Sequence, residues 1–154
     1  HLQLVLTEVL GFKLIDAEGS FHLFEVGEGG NGASIIVEHR EDLPAAQEGY
    51  GNVHHLALRV ADEEALRFWI EKINRLEFPN SGFVERFYFK SEYFLAATHV
   101  LFELATDGPG FLEDETYEHA GEKLSLPPFL EPKRAGIEEF VRPFDTSDAN
   151  VQRN

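Results

Sequence analysis

The chain has 154 residues, of which 43% are hydrophobic and 12% aromatic, and its formal net charge is -15. This length is enough for one medium-sized domain or two small modules, and the apolar content is enough to fill a core. The negative charge argues against nucleic acid or an anionic membrane surface as a partner, because both are bound by clustered Lys and Arg side chains.

Three absences in the sequence exclude further classes of protein. There is no cysteine, which excludes a disulfide framework and a thiolate metal site. There is also no apolar run of about 18 residues and no signal-peptide pattern. We therefore expect a cytoplasmic protein that handles a small molecule and has no membrane partner.

Residues 1–41 contain short apolar runs that predict a first module rich in strands. The "LGF" motif ending at Phe12 is typical of a helix end with Gly11 as the stop signal. The helix before it has almost no room, because a strand cannot pass into its crossover with so little chain. We expect either missing residues after Val5 or a first module that is naturally short. Strands are predicted at residues 1–6, up to residue 16, at 20–26 and at 33–41.

After a connection at residues 42–52, the same order of elements restarts in residues 53–106. A strand is predicted at residues 53–60, followed by a helix that begins after Asp62 as N-cap and has apolar residues at helical spacing. Three more strands are predicted at residues 82–89, 90–97 and 99–105. The sequence thus predicts an α+β fold of two βαβββ modules, residues 1–41 and 53–106.

Residues 107–154 are predicted to form a tail on the outside of the modules. A turn is followed by a short acidic helix near residues 113–121, a Pro-rich stretch and a last helix near residues 133–141. The final ten residues are expected to fray.

The stretch "GNVHHLALRVAD" places two histidines at the start of an alternating strand. Alternation assigns His54 to the apolar face under the helix and His55, beside Ala57, to the opposite, concave face. Glu103 lies in a strand that is otherwise apolar on both faces. A buried carboxylate needs a partner, and a divalent metal shared with His55 would supply one.

The first module repeats this pair, because His1 opens its first predicted strand and Glu38 lies in its last. Two histidines and one carboxylate form the facial arrangement typical of non-haem Fe(II) oxygenases. The alternative is that these histidines are structural. Spacing alone does not decide between the two interpretations.

Four stretches, "HHLALRVAD", "YFKSEYF", "LFELATDGPGF" and "GEKLSLPPFLEP", resemble the vicinal oxygen chelate superfamily of glyoxalase I, extradiol dioxygenases and bleomycin resistance proteins. The sequence is most similar to the C-terminal half of MhqO-type ring-cleaving dioxygenases. This resemblance implies sheets that form an incomplete barrel or cup. It spans nearly the whole chain but about half of that family's usual length, so we expect a missing N-terminal half or a homodimer partner.

The resemblance also implies a set of site residues. Ligands from the first and fourth strands of a module correspond to His55 and Glu103, and the third ligand corresponds to His1 or comes from elsewhere in the protein. Tyr93 corresponds to a tyrosine whose hydroxyl binds a substrate oxygen, although a sheet aromatic is the alternative. The family's Pro and Gly before the glutamate are replaced here by residues 97–99.

Three functions follow as hypotheses. The first is an Fe(II)-dependent extradiol-type dioxygenase acting on a small aromatic diol or hydroquinone with dioxygen. The second is a glyoxalase-like isomerase or lyase that uses Mn(II), Zn(II) or Ni(II), with Glu38 as its base. The third is a metal-free binding or resistance module that holds a small molecule against aromatics such as Phe87 and Tyr93.

Overall fold

The computed structural model describes residues 1–143 and shows an α+β fold with two separate sheets, which form no closed barrel within these residues. The predicted class, with its C-terminal helix, is confirmed. None of the helices described is long and apolar enough to cross a membrane. In chain order the elements are α1 (Leu2–Leu4, continued by a π-helical turn at Val5–Val9), β1 (Lys13–Glu18), β2 (Phe21–Glu25), β3 (Ser34–Glu38), β4 (Leu56–Arg59), α2 (Glu63–Arg75), β5 (Val84–Glu85), β6 (Lys90–Ala97), β7 (Val100–Ala105), a 3₁₀ turn (Glu131–Lys133) and α3 (Arg134–Phe140).

The strand predicted at residues 1–6 is wrong, because these residues belong to α1. The buried side chains of this segment are Val5, Leu6, Val9 and Leu10, which recur with the period of a helix. The backbone runs through Val5 as part of one helical segment, with its N–H donating to the His1 carbonyl. The reason for expecting missing residues after Val5 therefore disappears.

The first sheet is an antiparallel meander in the order β1, β2, β3. One face packs on the core through Phe24, which is buried, and through the half-buried Ile35 and Val37. The opposite face carries exposed side chains that include Phe21 and Ile36. The alternation that predicted these strands thus separates a core face from an open face.

The second sheet has the order β4, β7, β6, β5 and contains one parallel pair, β4 with β7. Parallel neighbours need a crossover, which α2 provides. Leu66 and Ile73 of α2 are buried against this sheet, where the rings of Phe94 and Phe102 stack with centroids 5.8 Å apart. The opposite face of the sheet, which points away from α2, carries Glu103 and Tyr93.

Asp62 is the N-cap of α2, as predicted, and its Oδ1 accepts a hydrogen bond of 2.8 Å from the Ala65 N–H. We expect Asp62→Ala to lower the free energy of unfolding by about 1 kcal/mol, because a first-turn N–H loses its partner. Chemical denaturation measures this change, and Asp62→Asn, which keeps the acceptor, is the control. An equal loss in both variants would contradict the capping role.

Of three further predictions, one is confirmed and two are corrected. The last helix is α3, as predicted. The acidic helix predicted near residues 113–121 is wrong, because the chain there forms turns, and Asp114 accepts a 2.7 Å hydrogen bond from the Tyr88 hydroxyl. The strand predicted at residues 82–89 is limited to β5. The fraying predicted for the last ten residues lies outside the described residues.

Candidate metal centre

The candidate site lies at the middle of the second sheet, on the face that points away from α2. Glu103 of β7 is paired with Ala57 of β4 on one side and with Tyr93 of β6 on the other. His55 immediately precedes β4, and its ring contacts Glu103 and Tyr93 on that face. Three residues from three segments are thus placed side by side.

His55 and Glu103 contact each other directly. His55 Nε2 lies 2.8 Å from Glu103 Oε2, and the side chains are 31% and 5% exposed. The other carboxylate oxygen, Oε1, is buried and has no hydrogen-bond partner. Leaving such an atom unpartnered costs about 1–3 kcal/mol.

These two side chains fit a divalent metal ion. An imidazole nitrogen and a carboxylate oxygen are common ligands of Fe(II), Mn(II) and Zn(II), and the unpartnered Oε1 is an acceptor that a cation would satisfy. Within residues 1–143, however, no group of three or more His, Cys, Asp or Glu side chains is close enough to hold a metal ion. The described chain therefore brings together two of the three predicted ligands.

His1 is not placed with this pair. It is the exposed N-cap residue of α1, so the first-strand position on which its prediction depended is wrong. Glu38, the predicted counterpart of Glu103, is exposed in the other sheet and pairs with Arg40, whose Nη1 lies 3.3 Å from its Oε1. The repeat that linked the two modules thus does not produce a second buried pair.

Tyr93 and Arg86 extend the site. The Tyr93 ring meets the His55 ring edge-on, with centroids 5.4 Å apart. The Arg86 guanidinium lies over the Tyr93 ring, 5.2 Å from its centroid. This places a positive charge beside the tyrosine. Sequence reasoning missed Arg86, since an arginine in the run "ERFYF" has no pattern that distinguishes it from an ordinary surface residue.

His54 does not pack under α2 as predicted. It is exposed, and its Nδ1 lies 2.8 Å from His55 Nδ1. Strict alternation holds within β4, which begins only at Leu56, and the histidines precede it. Both histidines therefore belong to the same local cluster.

Comparison with known proteins identifies relatives of the chain. No protein-family model matches it. It is 46% identical over 144 residues to MhqA of Bacillus subtilis (strain 168), which is named as a candidate ring-cleaving dioxygenase, and the match covers 90% of this chain and 46% of that protein. It is 35% identical over 119 residues to the chlorohydroquinone/hydroquinone 1,2-dioxygenase of Sphingobium indicum, covering 74% of this chain and 36% of that protein.

A crystal structure of a candidate dioxygenase from Bacillus subtilis subsp. subtilis str. 168 superimposes on this chain with a TM-score of 0.80 at 35% identity, covering 93% of this chain and 46% of that one. The chain is a homologue of proteins named ring-cleaving dioxygenases. It spans about half the length of these relatives, with 46% of the MhqA sequence covered.

The chain described here also shares its fold with the wider vicinal oxygen chelate superfamily. The fosfomycin resistance protein FosX of Listeria monocytogenes, in a structure described as complexed with Mn(II) and sulfate, superimposes with a TM-score of 0.53 at 22% identity. That match covers 72% of this chain and 80% of FosX. At this identity the match shows the fold alone, and the resemblance seen in the sequence is confirmed at that level.

Proposed function

We propose that this chain supplies His55 and Glu103 to the metal centre of a dioxygenase that opens the ring of a hydroquinone or another small aromatic diol. The observation that carries the proposal is the contact of His55 with the buried Glu103, 2.8 Å apart, in which one carboxylate oxygen is unpartnered. Homology to proteins named ring-cleaving dioxygenases, one of them a chlorohydroquinone/hydroquinone 1,2-dioxygenase, supports the substrate class.

The proposed metal is Fe(II), with Mn(II), Zn(II) and Ni(II) as alternatives. If bound by His55 and Glu103, Fe(II) would supply open coordination for the substrate and dioxygen and the redox chemistry for their reaction. The described residues provide two ligands, so the proposal assigns the third to another part of the protein or to a second copy. The predicted ligand His1 is not part of this proposal.

The two proposed ligands differ in their surroundings, and the difference suits their roles. Glu103 is held between two strands and is almost fully buried, so its charge acts in a medium of low effective dielectric constant. His55 is about one-third exposed and therefore borders the side from which a substrate arrives. The pair thus offers a fixed carboxylate and a more accessible imidazole as ligands.

Tyr93 and Arg86 are proposed to position the substrate. The phenol group lies beside His55, and its hydroxyl is a donor for an ionised substrate oxygen. Arg86 adds positive charge next to that phenol, which favours an anionic aromatic diol over a neutral one.

Metal content and oxygen uptake test the proposal. The purified protein should contain a divalent metal and consume oxygen in the presence of hydroquinone or chlorohydroquinone. Isomerisation of a glutathione hemithioacetal without oxygen uptake would support the glyoxalase-like alternative. Ligand binding in metal-free protein, without turnover, would support the binding module. Either result would overturn the proposal.

We expect Tyr93→Phe to lower kcat by about 10–100-fold, since a hydrogen bond to a charged substrate oxygen contributes about 1.5–3 kcal/mol. The metal content should not change, because the hydroxyl is not a proposed ligand. Tyr88→Phe is the matched control, because the Tyr88 hydroxyl donates to Asp114 rather than facing His55. Equal losses of activity in the two variants would argue against a role for Tyr93 in positioning.

A further inference from the structure

A small cavity adjoins the candidate metal centre on the same face of the second sheet. Leu95 and Leu101 form the cross-strand pair next to the pair of Tyr93 and Glu103, and alternation places all four side chains on one face. Neighbouring pairs on one face are about 7 Å apart along a strand. The two leucines line a cavity of about 90 Å³, well below the roughly 300 Å³ of pockets that enclose a whole small ligand. The cavity can therefore hold one end of an aromatic diol.

The walls of the cavity add hydrogen-bonding groups to this apolar floor. They include His54, whose Nδ1 lies 2.8 Å from His55 Nδ1, so the cavity extends up to the proposed metal ligand. His99, Asn52 and Glu48 complete the polar lining. Within residues 1–143, the His99 side chain makes no hydrogen bond or ion pair. A hydroxyl group suits this lining, because an imidazole can donate to it or accept from it, whereas a carboxylate wall disfavours an anionic group.

We propose that this cavity receives the hydroxyl at the far end of a 1,4-diol, and that His99 binds this hydroxyl and determines the preference for a 1,4-diol over a 1,2-diol. The inference rests on the proposed function of His55 and Glu103. In hydroquinone the two oxygens lie at opposite ends of the ring, so an oxygen held at the metal centre leaves the other one a ring length away. In catechol the two oxygens are neighbours, and the far end of the ring offers only C–H groups to the polar lining.

The backbone at His99 makes the role of its side chain testable. His99 lies in the two-residue turn between β6 and β7 and has a φ of 61°. This left-handed region suits glycine best, and asparagine and histidine tolerate it better than most residues. His99→Gly therefore removes the imidazole and relaxes the turn, so it should unfold at no lower a temperature than the wild type. His99→Asn keeps a donor and an acceptor in a residue that suits the turn.

NMR titrations of the full chain under nitrogen, with hydroquinone, catechol and 4-methylphenol, test the proposal. We expect His99→Gly to weaken hydroquinone binding about tenfold, the effect of one lost hydrogen bond, and to change catechol binding by less than about twofold. Each ligand is compared between the variant and the wild type, so a difference in how the two diols bind a metal cancels. His99→Asn should retain most of the affinity for hydroquinone.

Two further comparisons locate the effect. 4-Methylphenol has a methyl group in place of the far hydroxyl, so it should bind the wild type about tenfold more weakly than hydroquinone and be insensitive to His99→Gly. Glu77→Gly is the matched control, because Glu77 also has a positive φ, 58°, and lies beyond the end of α2, away from the cavity. It should leave the binding of all three ligands unchanged.

The inference and the proposed function fail in different ways. If hydroquinone binds the wild type but His99→Gly weakens hydroquinone and catechol equally, or neither of them, the role of His99 is wrong and the proposed function stands. Binding of 4-methylphenol as tight as that of hydroquinone would also overturn the role of His99. If millimolar hydroquinone and catechol both fail to bind the wild type, the proposed function fails, and the inference fails with it.

Discussion

Glu103→Gln is expected to reduce metal affinity by at least about 100-fold and to abolish oxygen uptake with hydroquinones. The loss should exceed the 10–100-fold effect of removing an outer partner, because a charged ligand is lost. Glutamine preserves the shape of the side chain and an acceptor for His55 Nε2–H, while it removes a buried charge with an unpartnered oxygen. The free energy of unfolding of the metal-free protein should therefore not fall.

Calorimetric metal titration, oxygen electrode measurements and chemical denaturation check the three parts of this prediction. Glu38→Gln is the control, because Glu38 lies exposed near the end of β3 and pairs with Arg40. We expect Glu38→Gln to retain metal and activity. A loss in Glu38→Gln with retention in Glu103→Gln would contradict the proposed role of Glu103 as a metal ligand.

The second large effect concerns Glu92, a fully buried carboxylic acid on the opposite face of β6. It is paired with Leu104 across the strands and lies two residues from Phe94, so it faces the apolar core under α2. Neither carboxylate oxygen has a hydrogen-bond partner. Burial raises the pKa of Glu92 from 4.5 to about 7.

This shift makes stability depend on pH with a definite sign. The folded state holds the Glu92 proton more tightly than the unfolded state, so the contribution of Glu92 is fully present below pH 4.5 and is lost as the pH rises through about 7. A shift of this size corresponds to about 3 kcal/mol. Glu92→Gln resembles the protonated acid and should match the wild type near pH 4.5.

Above pH 8, Glu92→Gln should be more stable than the wild type by about 3 kcal/mol. Denaturation curves at a series of pH values measure this difference. Glu71→Gln, on the exposed side of α2, should show no such trend. A constant difference between Glu92→Gln and the wild type from pH 4.5 to 9 would show that Glu92 is already charged in the folded protein.

Strand periodicity predicted the part of the site that lies inside regular strands. The segment predicted at residues 90–97 is β6 with the same bounds, and alternation along β6 and β7 places Tyr93 and Glu103 on one face. The same alternation along β6 assigns Glu92 to the core face, so the sequence pattern also indicated this buried carboxylic acid. Local pattern suffices where neighbouring residues are held in extended backbone.

The pattern failed where short-range sequence supports two structures. Residues 1–6 are too few to separate strand alternation from helix periodicity, and packing of α1 on the shared core decides the outcome. The acidic residues near 113–121 favour a helix locally, yet the contact of Asp114 with Tyr88 joins residues 26 positions apart. The placement of His54 was missed for a local reason, because β4 begins only at Leu56 and strand alternation does not extend to the histidines before it.

The parallel pairing of β4 with β7 bears on the stage of folding at which the candidate site forms. Its two central residues, Ala57 and Glu103, are partners across a connection that contains α2, β5 and β6. Long-range pairings of this kind form late in folding, because the connection must lose its freedom before the contact is gained. We therefore expect His55 and Glu103 to meet only after the rest of the module is in place, so that a partly folded chain does not present the proposed ligand pair.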